Sequence, residues 1–245
     1  MNPNPRLFPR PFVHNWYILT KIREEVSRFV TAYVTIASPL PRVLDYGSGD
    51  APYSSLFEGK VLEYVTCDIP QNIKAEVHIL EDGSVPLPGN SFDIVLSIQV
   101  LEHVDDVARY LGEAMRLLRD GGVMFLSTHG QWIYHPIPKD LWRWTREGLV
   151  KTVRDAGFSV ERVEWCAGPL AYALQLINFS IKWSVEGKYR FLLPCLPLVS
   201  FVLNRLMCLA DTMTTTRSPE NGAIYFLVLR KSSVREKRNQ TKNEK

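Results

Sequence analysis

The sequence predicts an α/β protein in which a doubly wound, largely parallel sheet is covered by helices on both faces. Three observations carry that expectation. Short, β-branched apolar runs recur as "RVLDYG", "LEYVTCDI", "AEVHIL", "SFDIVLSIQV" and "VMFLST". Segments with helical periodicity, such as "VDDVARYLGEAMRLLRD", separate them. The runs are apolar almost throughout instead of alternating, as strands buried on both faces must be.

The first helix is expected within 14–36, where Tyr17, Ile18, Ile22, Val26, Phe29 and Val30 form one broad stripe with charges opposite. "LDYGSGDAPYSS" (44–55) places two glycines directly behind the first strand. Pro52 is positioned to open a following helix, where its missing N–H removes no intrahelical bond. "TREGLVKTVRDAGF" predicts a helix capped by Thr145 and ended at Gly157, followed by the strand "SVERVEWCAG". "GAIYFLVLRK" (222–231) is the last strand.

Residues 169–221 break the alternation with the apolar pieces "PLAYALQLINFSI" and "FLLPCLPLVSFVL". Each is shorter than the roughly 20 residues that cross a bilayer, and Lys182, Glu186, Lys188 and Arg190 separate them, so the sequence argues against a transmembrane span. Tyr172, Leu176, Phe179 and Trp183 recur at helical spacing, either as core or as a lipid-facing stripe. The chain thus divides into an N-terminal segment and helix (1–36), a main domain (37–168 and 222–231), an apolar helical insertion serving as acceptor or membrane cover (169–221), and a basic tail expected to be disordered (232–245).

With 245 residues and 46% hydrophobic content, one large domain with a real core is expected. The formal charge of +3 is an end effect, because residues 231–245 hold six Lys/Arg against two Glu and leave the body close to neutral. That balance argues against a nucleic-acid partner. Cys67, Cys166, Cys195 and Cys208 lie far apart without a CxxC pair, which fits neither a disulfide framework nor a zinc ribbon. "MNPNPRLFPRPF" puts prolines where a signal peptide needs a continuous apolar core. A cytoplasmic protein is expected, with room for a peripheral contact on the inner face of the membrane.

In a doubly wound sheet the ligand crevice lies over the carboxyl ends of the strands, and the first glycine turn is where a ligand approaches closest. A dinucleotide fingerprint wants a third glycine where this chain has Pro52, which weakens a pyrophosphate reading. Instead Asp45 precedes Gly47 by two positions, and an acid there suits a ligand with an ammonium group. Asp68 ends the second strand, where a carboxylate can accept hydrogen bonds from both ribose hydroxyls. Together these point to an adenosyl amino acid.

At these residues, and through "DGSVPLPGNSFDIVLSIQVLEHVDD" (82–106), "LLRDGGVMFLSTHG" and "WTREGLVKTVRDAGFSVERV", the chain resembles the S-adenosylmethionine-dependent methyltransferases of the Rossmann-like, type 11-like group. The likeness runs from roughly residue 40 to 168 and includes the final strand. It implies a mostly parallel seven-stranded sheet with the last strand antiparallel, and S-adenosyl-L-methionine as cofactor. It also implies that Asp45, Gly47 and Gly49 contact the methionine part, Asp68 the ribose, and Asp82 or Glu81 the adenine amino group. Asp50 and Ala51 depart from the pattern, which usually has glycines or small residues there. Members associated with polysaccharide and other glycan pathways imply a sugar acceptor.

Methyl transfer needs the acceptor atom in line with the methyl carbon, and a hydroxyl acceptor gains from losing its proton as it attacks. Histidines at strand ends are the economical bases. His129 is the first candidate, followed by His103 and His135, against a purely positioning role. His103 in "LEHV" alternatively just caps a helix. In the aromatic loop 128–148, Tyr134, Trp142 and Arg143 are candidate acceptor contacts, the alternative being that Trp142 and Trp144 pack beneath it. Asp93 is expected to hold a local turn and Cys67 to be core. No metal-ligand spacing stands out, so a metal-independent reaction is expected. The function predicted is O-methylation of a sugar, glycan or other small acceptor, either free or lipid-linked. The rivals are a lipid-quinone methyltransferase, a nicotinamide-dependent oxidoreductase on the same fold, and a non-catalytic cofactor-binding module.

Overall fold

In the computed structural model, which describes residues 4–214 and 221–231, the apolar runs become strands β1 (Arg42–Tyr46), β2 (Glu63–Asp68), β3 (Val77–His78), β4 (Phe92–Ile98), β5 (Leu118–His129), β6 (Phe158–Cys166) and β7 (Ile224–Lys231). They pair into one sheet in the order β3-β2-β1-β4-β5-β7-β6. The first five strands run parallel, and β7 inserts antiparallel between β5 and β6. Chain order reverses direction at β1, which pairs with β2 on one side and β4 on the other. The crevice of such a sheet opens at that switch point, above the carboxyl ends.

Helix α1 (Trp16–Phe29) continues into one π-helical turn over Val30–Val34. Helix α2 (Val107–Leu117) starts where the Asp106 carboxylate accepts from Arg109 N, and α3 (Arg146–Asp155) starts where Thr145 Oγ1 accepts from Gly148 N. It stops at Gly157, whose φ of +96° is a left-handed value that few side chains tolerate. The helix expected after Pro52 does not form. Gly49 and Ala51 both adopt positive φ, +54° and +45°, and the chain takes only a 3-10 turn over Ser54–Leu56 on its way to β2. Its apolar members Tyr53 and Phe57 are buried against the sheet without helical structure.

Two apolar layers sandwich the sheet. On one face α1 packs Val26 and Phe29 against Val43, Phe125 and Phe226, with the Phe29 and Phe125 rings stacked at 4.8 Å. On the other, Leu111 and Leu117 of α2 and Leu149 and Val153 of α3 cover Leu44, Val95 and Leu126. Asp93 ties strands together instead of closing a local turn: its carboxylate accepts from Arg42 N at 2.8 Å and from Arg119 Nη1 at 2.9 Å, joining the starts of β1, β4 and β5. Cys67 and Cys166 are buried, and all four cysteines are free.

The insertion is a helical hairpin of α4 (Pro169–Gly187), a 3-10 turn over Arg190–Cys195, and α5 (Leu196–Thr214). Helical structure runs unbroken through Pro194 and Pro197, because Pro197 falls in the first turn of α5 where no N–H is required. This corrects the reading by run length: Arg190–Met213 is one 24-residue helical segment, long and apolar enough by length and composition to cross a membrane, and only 17% of its apolar window is buried. Residues 215–220 of the insertion and the basic tail 232–245 lie outside the described residues.

Phe29 is fully buried between two aromatic neighbours. Phe29→Ala should therefore lower the unfolding free energy by about 3–5 kcal/mol in urea denaturation followed by circular dichroism.

Candidate active site

The carboxyl ends of the central strands open on a cavity of about 1700 Å³. Its floor at one end is the glycine turn. Gly47 N and Ser48 N both donate to Cys67 O, at 2.8 and 3.1 Å, fastening the turn to the end of β2. Gly47 has φ +83°, and a Cβ there would fall 2.5 Å from Val100 Cγ2. At Gly49 a Cβ would meet nothing within 4 Å, so open space lies beside this backbone. Ala51 takes the left-handed conformation that explains why glycine is usual at such a position.

Asp68 clamps this turn. Its Oδ2 accepts from Gly49 N and Asn72 Nδ2, both at 2.8 Å, and Oδ1 accepts from Ile69 N at 2.8 Å. Asn72 also donates to Gly49 O at 2.7 Å, so the turn, Asp68 and Asn72 form one bonded unit. A carboxylate offers about four acceptor positions, which leaves Asp68 capacity toward the cavity that it lines. Asp45, expected at the methionine part, stands behind the turn and off the cavity wall. It is buried and accepts from Tyr64 OH at 2.7 Å. Burial pushes its carboxyl up to about 6, against the lowering effect of the tyrosine bond.

At the far edge Glu81 and Asp82 both line the cavity. Asp82 accepts from Ser84 Oγ at 2.6 Å and Ser84 N at 2.9 Å, bonds that hold its carboxyl below the usual range, and lies 3.3 Å from Arg109. Asp50, Asp68, Glu81, Asp82, Asp105 and Asp106 outnumber Arg6, Arg10 and Arg109 on this wall. The field they create suits a cationic ligand and opposes a pyrophosphate.

The three candidate histidines converge on the other end. His129 closes β5, His103 ends the 3-10 turn Leu101–His103, and His135 stands in the following loop. The His103 and His135 ring centroids are 5.7 Å apart, and those of His129 and His135 6.0 Å. His103 caps no helix; its Nδ1 bonds the Lys139 carbonyl. Among the described residues no group of three or more His, Cys, Asp and Glu side chains is arranged to hold a metal ion.

Glu102 was not legible as a site residue. It is fully buried, and its Oε1 lies 3.3 Å from His129 Nδ1 while Oε2 accepts from Thr128 Oγ1 at 2.9 Å. Neither Oε1 nor Nδ1 has any other hydrogen-bond partner, so the two orphaned atoms face each other. Burial pushes Glu102 up to about 7. Burial, and then the charge of Arg143, pushes His129 down to about 3. A neutral imidazole is therefore held beside a carboxyl near its midpoint at neutral pH. The one sequence signal was an acid at the carboxyl end of an apolar strand, next to a histidine. Gln99, on the same strand end, has φ +58° and donates from Nε2 to Ser127 Oγ at 3.1 Å, a strained non-glycine position on the cavity wall.

Trp132 stacks on His129 with centroids 5.2 Å apart and packs edge-on to Phe179, and both line the cavity. Tyr134, Trp142 and Arg143, expected as acceptor contacts, lie off the wall. Tyr134 is 76% exposed. Trp142 donates to Val104 O at 2.8 Å and stacks on Trp144. Arg143 donates to the carbonyls of Trp132, Ile133 and Trp142 and to both oxygens of Asp140, so its fork is consumed in folding the loop that presents Trp132 and His135.

The family model described as "Methyltransferase domain" matches residues 18–162. Over 195 residues the chain is 28% identical to a ubiquinone biosynthesis O-methyltransferase of Cereibacter sphaeroides, an alignment covering 65% of this chain and 76% of that protein. Its fold superposes with a TM-score of 0.52 on an S-adenosylmethionine-dependent methyltransferase of Mesorhizobium loti at 15% identity, covering 91% of this chain and 99% of the other. It superposes with a TM-score of 0.57 on the 4+2 cyclase SpnF at 17% identity, covering 86% and 82%. At such identities the structural likeness is one of fold, which different chemistries share.

The Tyr64 bond is strongest to an ionised Asp45. Tyr64→Phe should raise the Asp45 pKa further above about 6, read by carbon NMR titration of the carboxyl. The loss of stability should be about 1–3 kcal/mol above that pH and smaller below it, where the carboxyl is protonated.

Proposed function

We propose, from the premise that the chain belongs to the methyltransferase-domain family and is an S-adenosylmethionine-dependent enzyme, that it methylates a hydroxyl oxygen on a small head group carried by an apolar tail. The observation that carries this reading is the meeting, in one cavity, of the glycine turn, the Glu102–His129 pair and an apolar wall. S-adenosylmethionine supplies, when bound, an electrophilic methyl carbon on a sulfonium sulfur. The residues present fit it: Gly49 leaves the backbone open, Asp68 keeps acceptor capacity for ribose hydroxyls, and the acidic wall favours a cation.

His129 acts on the acceptor. With Glu102 ionised, Nδ1–H is directed at Oε1, which leaves Nε2 to take the hydroxyl proton as the oxygen attacks. The imidazolium so formed is buried and would be costly alone; the adjacent carboxylate offsets that cost. One proton leaves the acceptor and one arrives on Nε2, so the pair passes from a net charge of −1 to neutral. Trp132 over His129 offers a flat face to a planar ring, while Phe8, Val13, Ile137 and Phe179 extend the cavity as an apolar wall for a tail. The Cereibacter relative, named for O-methylation in ubiquinone biosynthesis, supports oxygen as the acceptor atom and a quinone-type head group. Tyr134, Trp142 and Arg143, expected as acceptor contacts, lie off the cavity wall, and the sugar reading rests on family association alone, so the lipid-quinone reading comes first and a lipid-linked sugar second. A cytoplasmic location is part of the same proposal.

The direct test offers S-adenosylmethionine with phenolic quinone precursors, with and without a prenyl tail, and with lipid-linked sugars, and looks for one added methyl group by mass spectrometry. Methylation of tailed phenols in preference to tailless ones is expected; equal use of both would overturn the tail assignment. Turnover should rise with pH through about 7 as Glu102 loses its proton. Glu102→Gln should flatten that rise and lower turnover roughly hundredfold, with cofactor affinity by calorimetry unchanged. Asp68→Asn should instead weaken cofactor binding by about 1–3 kcal/mol, since a charged acceptor of hydrogen bonds is lost.

A further inference from the structure

Helix α5 buries polar residues among Met207 and Ala210 on its inward side and leaves its outward side largely apolar, unusual for a helix on a soluble domain. Ser200, Asn204 and Asp211, at helical spacing, are turned inward and buried. Leu198, Val202, Leu206, Leu209 and Met213, on the opposite side, are exposed. The ordinary arrangement puts the apolar stripe toward the core. Each inward side chain makes at least one hydrogen bond, although Asn204 Oδ1 and Gln175 Oε1 have none: Asn204 Nδ2 donates to Pro11 O and Val13 O at 2.9 and 2.8 Å, and Ser200 Oγ to Asn178 Oδ1 at 3.1 Å. The Asp211 carboxylate accepts from Tyr17 OH and Gly168 N. Helix α4 does the same with Gln175 and Asn178, which both donate to His14 O.

We propose that the outward face of the α4–α5 hairpin docks in the plane of an anionic lipid bilayer, as a monotopic membrane contact. Exposed apolar surface of this extent marks an interaction site. Charge selects lipid as the occupant. From Gly187 to Ala210 the only charged residues are Lys188, Arg190 and Arg205, and no acid occurs. A second copy meeting this face through a two-fold axis would bring these cations together, whereas phospholipid phosphates complement them. Trp183, Tyr189 and Phe191 are exposed at the hairpin tip, residue types that settle at the headgroup boundary. The N-terminal segment joins the face, since Phe12 stacks on Phe201 of α5 at 5.0 Å and is itself exposed. Spanning is disfavoured although Arg190–Met213 is long enough, because insertion would strip Ser200, Asn204 and Asp211 of their partners within hydrocarbon. This inference stands apart from the identity of the acceptor.

The test is flotation of the purified full chain with phosphatidylcholine vesicles and with vesicles that also contain phosphatidylglycerol. The chain should float with the anionic vesicles and remain in solution with the neutral ones. The variant Val202→Glu/Leu209→Glu should stay in solution with an unchanged melting temperature, and the milder Val202→Ser/Leu209→Ser should weaken flotation if the first variant unfolds. Trp183 fluorescence should be quenched by bromine placed high on the acyl chain and not by bromine near its end. Failure of the wild type to float, equal flotation with both vesicles, unaltered flotation of the variants, quenching only deep in the chain, or a dimer in solution that the variants dissolve would each overturn the proposal.

Discussion

The site depends on how the first strand's end is fastened to the second's. Two backbone N–H groups share the Cys67 carbonyl, and a third meets the Asp68 carboxylate, so the glycine turn is held by hydrogen bonds within the protein itself. Pre-ordering of this kind removes the entropy of organising a loop at the moment of binding. It also explains why Gly47 tolerates no side chain while Gly49 has open space beside it: one glycine allows contact within the protein, with Val100, and the other leaves the approach to the cavity clear.

A division of labour among acids follows from that arrangement. Asp45 in β1 and Asp68 at the end of β2 both flank the first turn, yet one is sealed in with Tyr64 and the other faces the cavity. Glu102 is a third case, an acid with one oxygen facing His129 Nδ1 at 3.3 Å and His103 Nε2 at 4.0 Å. Burial raises the proton affinity of Asp45 and of Glu102, and of the three only the Glu102 pair combines burial, an unsatisfied atom and a neighbouring base. Opposed shifts in two adjacent groups are a recurrent mark of acid–base machinery.

Much of this could be read from the chain and some could not. The alternation of apolar runs and periodic segments fixed the sheet, and β7 fell where "GAIYFLVLRK" placed it. Helix starts at Asp106 and Thr145 involve side-chain bonds within a few residues, and the Thr145 cap was legible for that reason. The helix expected from Pro52 failed because a residue permitted at a helix start does not compel one, and two left-handed residues precede it. His103 and His129 meet because each follows the carboxyl end of a strand, and His135 joins them from the loop after β5. Glu102 was overlooked since its importance comes from a partner 27 positions away on the neighbouring strand. Conversely, Arg143 looks like a ligand contact in one dimension, and only its bonds to three carbonyls and Asp140 reveal it as scaffolding for the loop that presents Trp132 and His135.

The inward amide side chains of the hairpin, Gln175, Asn178 and Asn204, donate to main-chain carbonyls of Pro11, Val13 and His14. Carbonyls are indifferent to side-chain identity, so the stretch from 11 to 14 can drift in sequence while keeping its grip on α4 and α5. Mechanically, however, that stretch is a strap: Val13 and His14 line the cavity, and the same residues are tied to both helices. Tilting the hairpin by even a small angle would drag the cavity roof with it, making the width of the opening a property of how the insertion is seated.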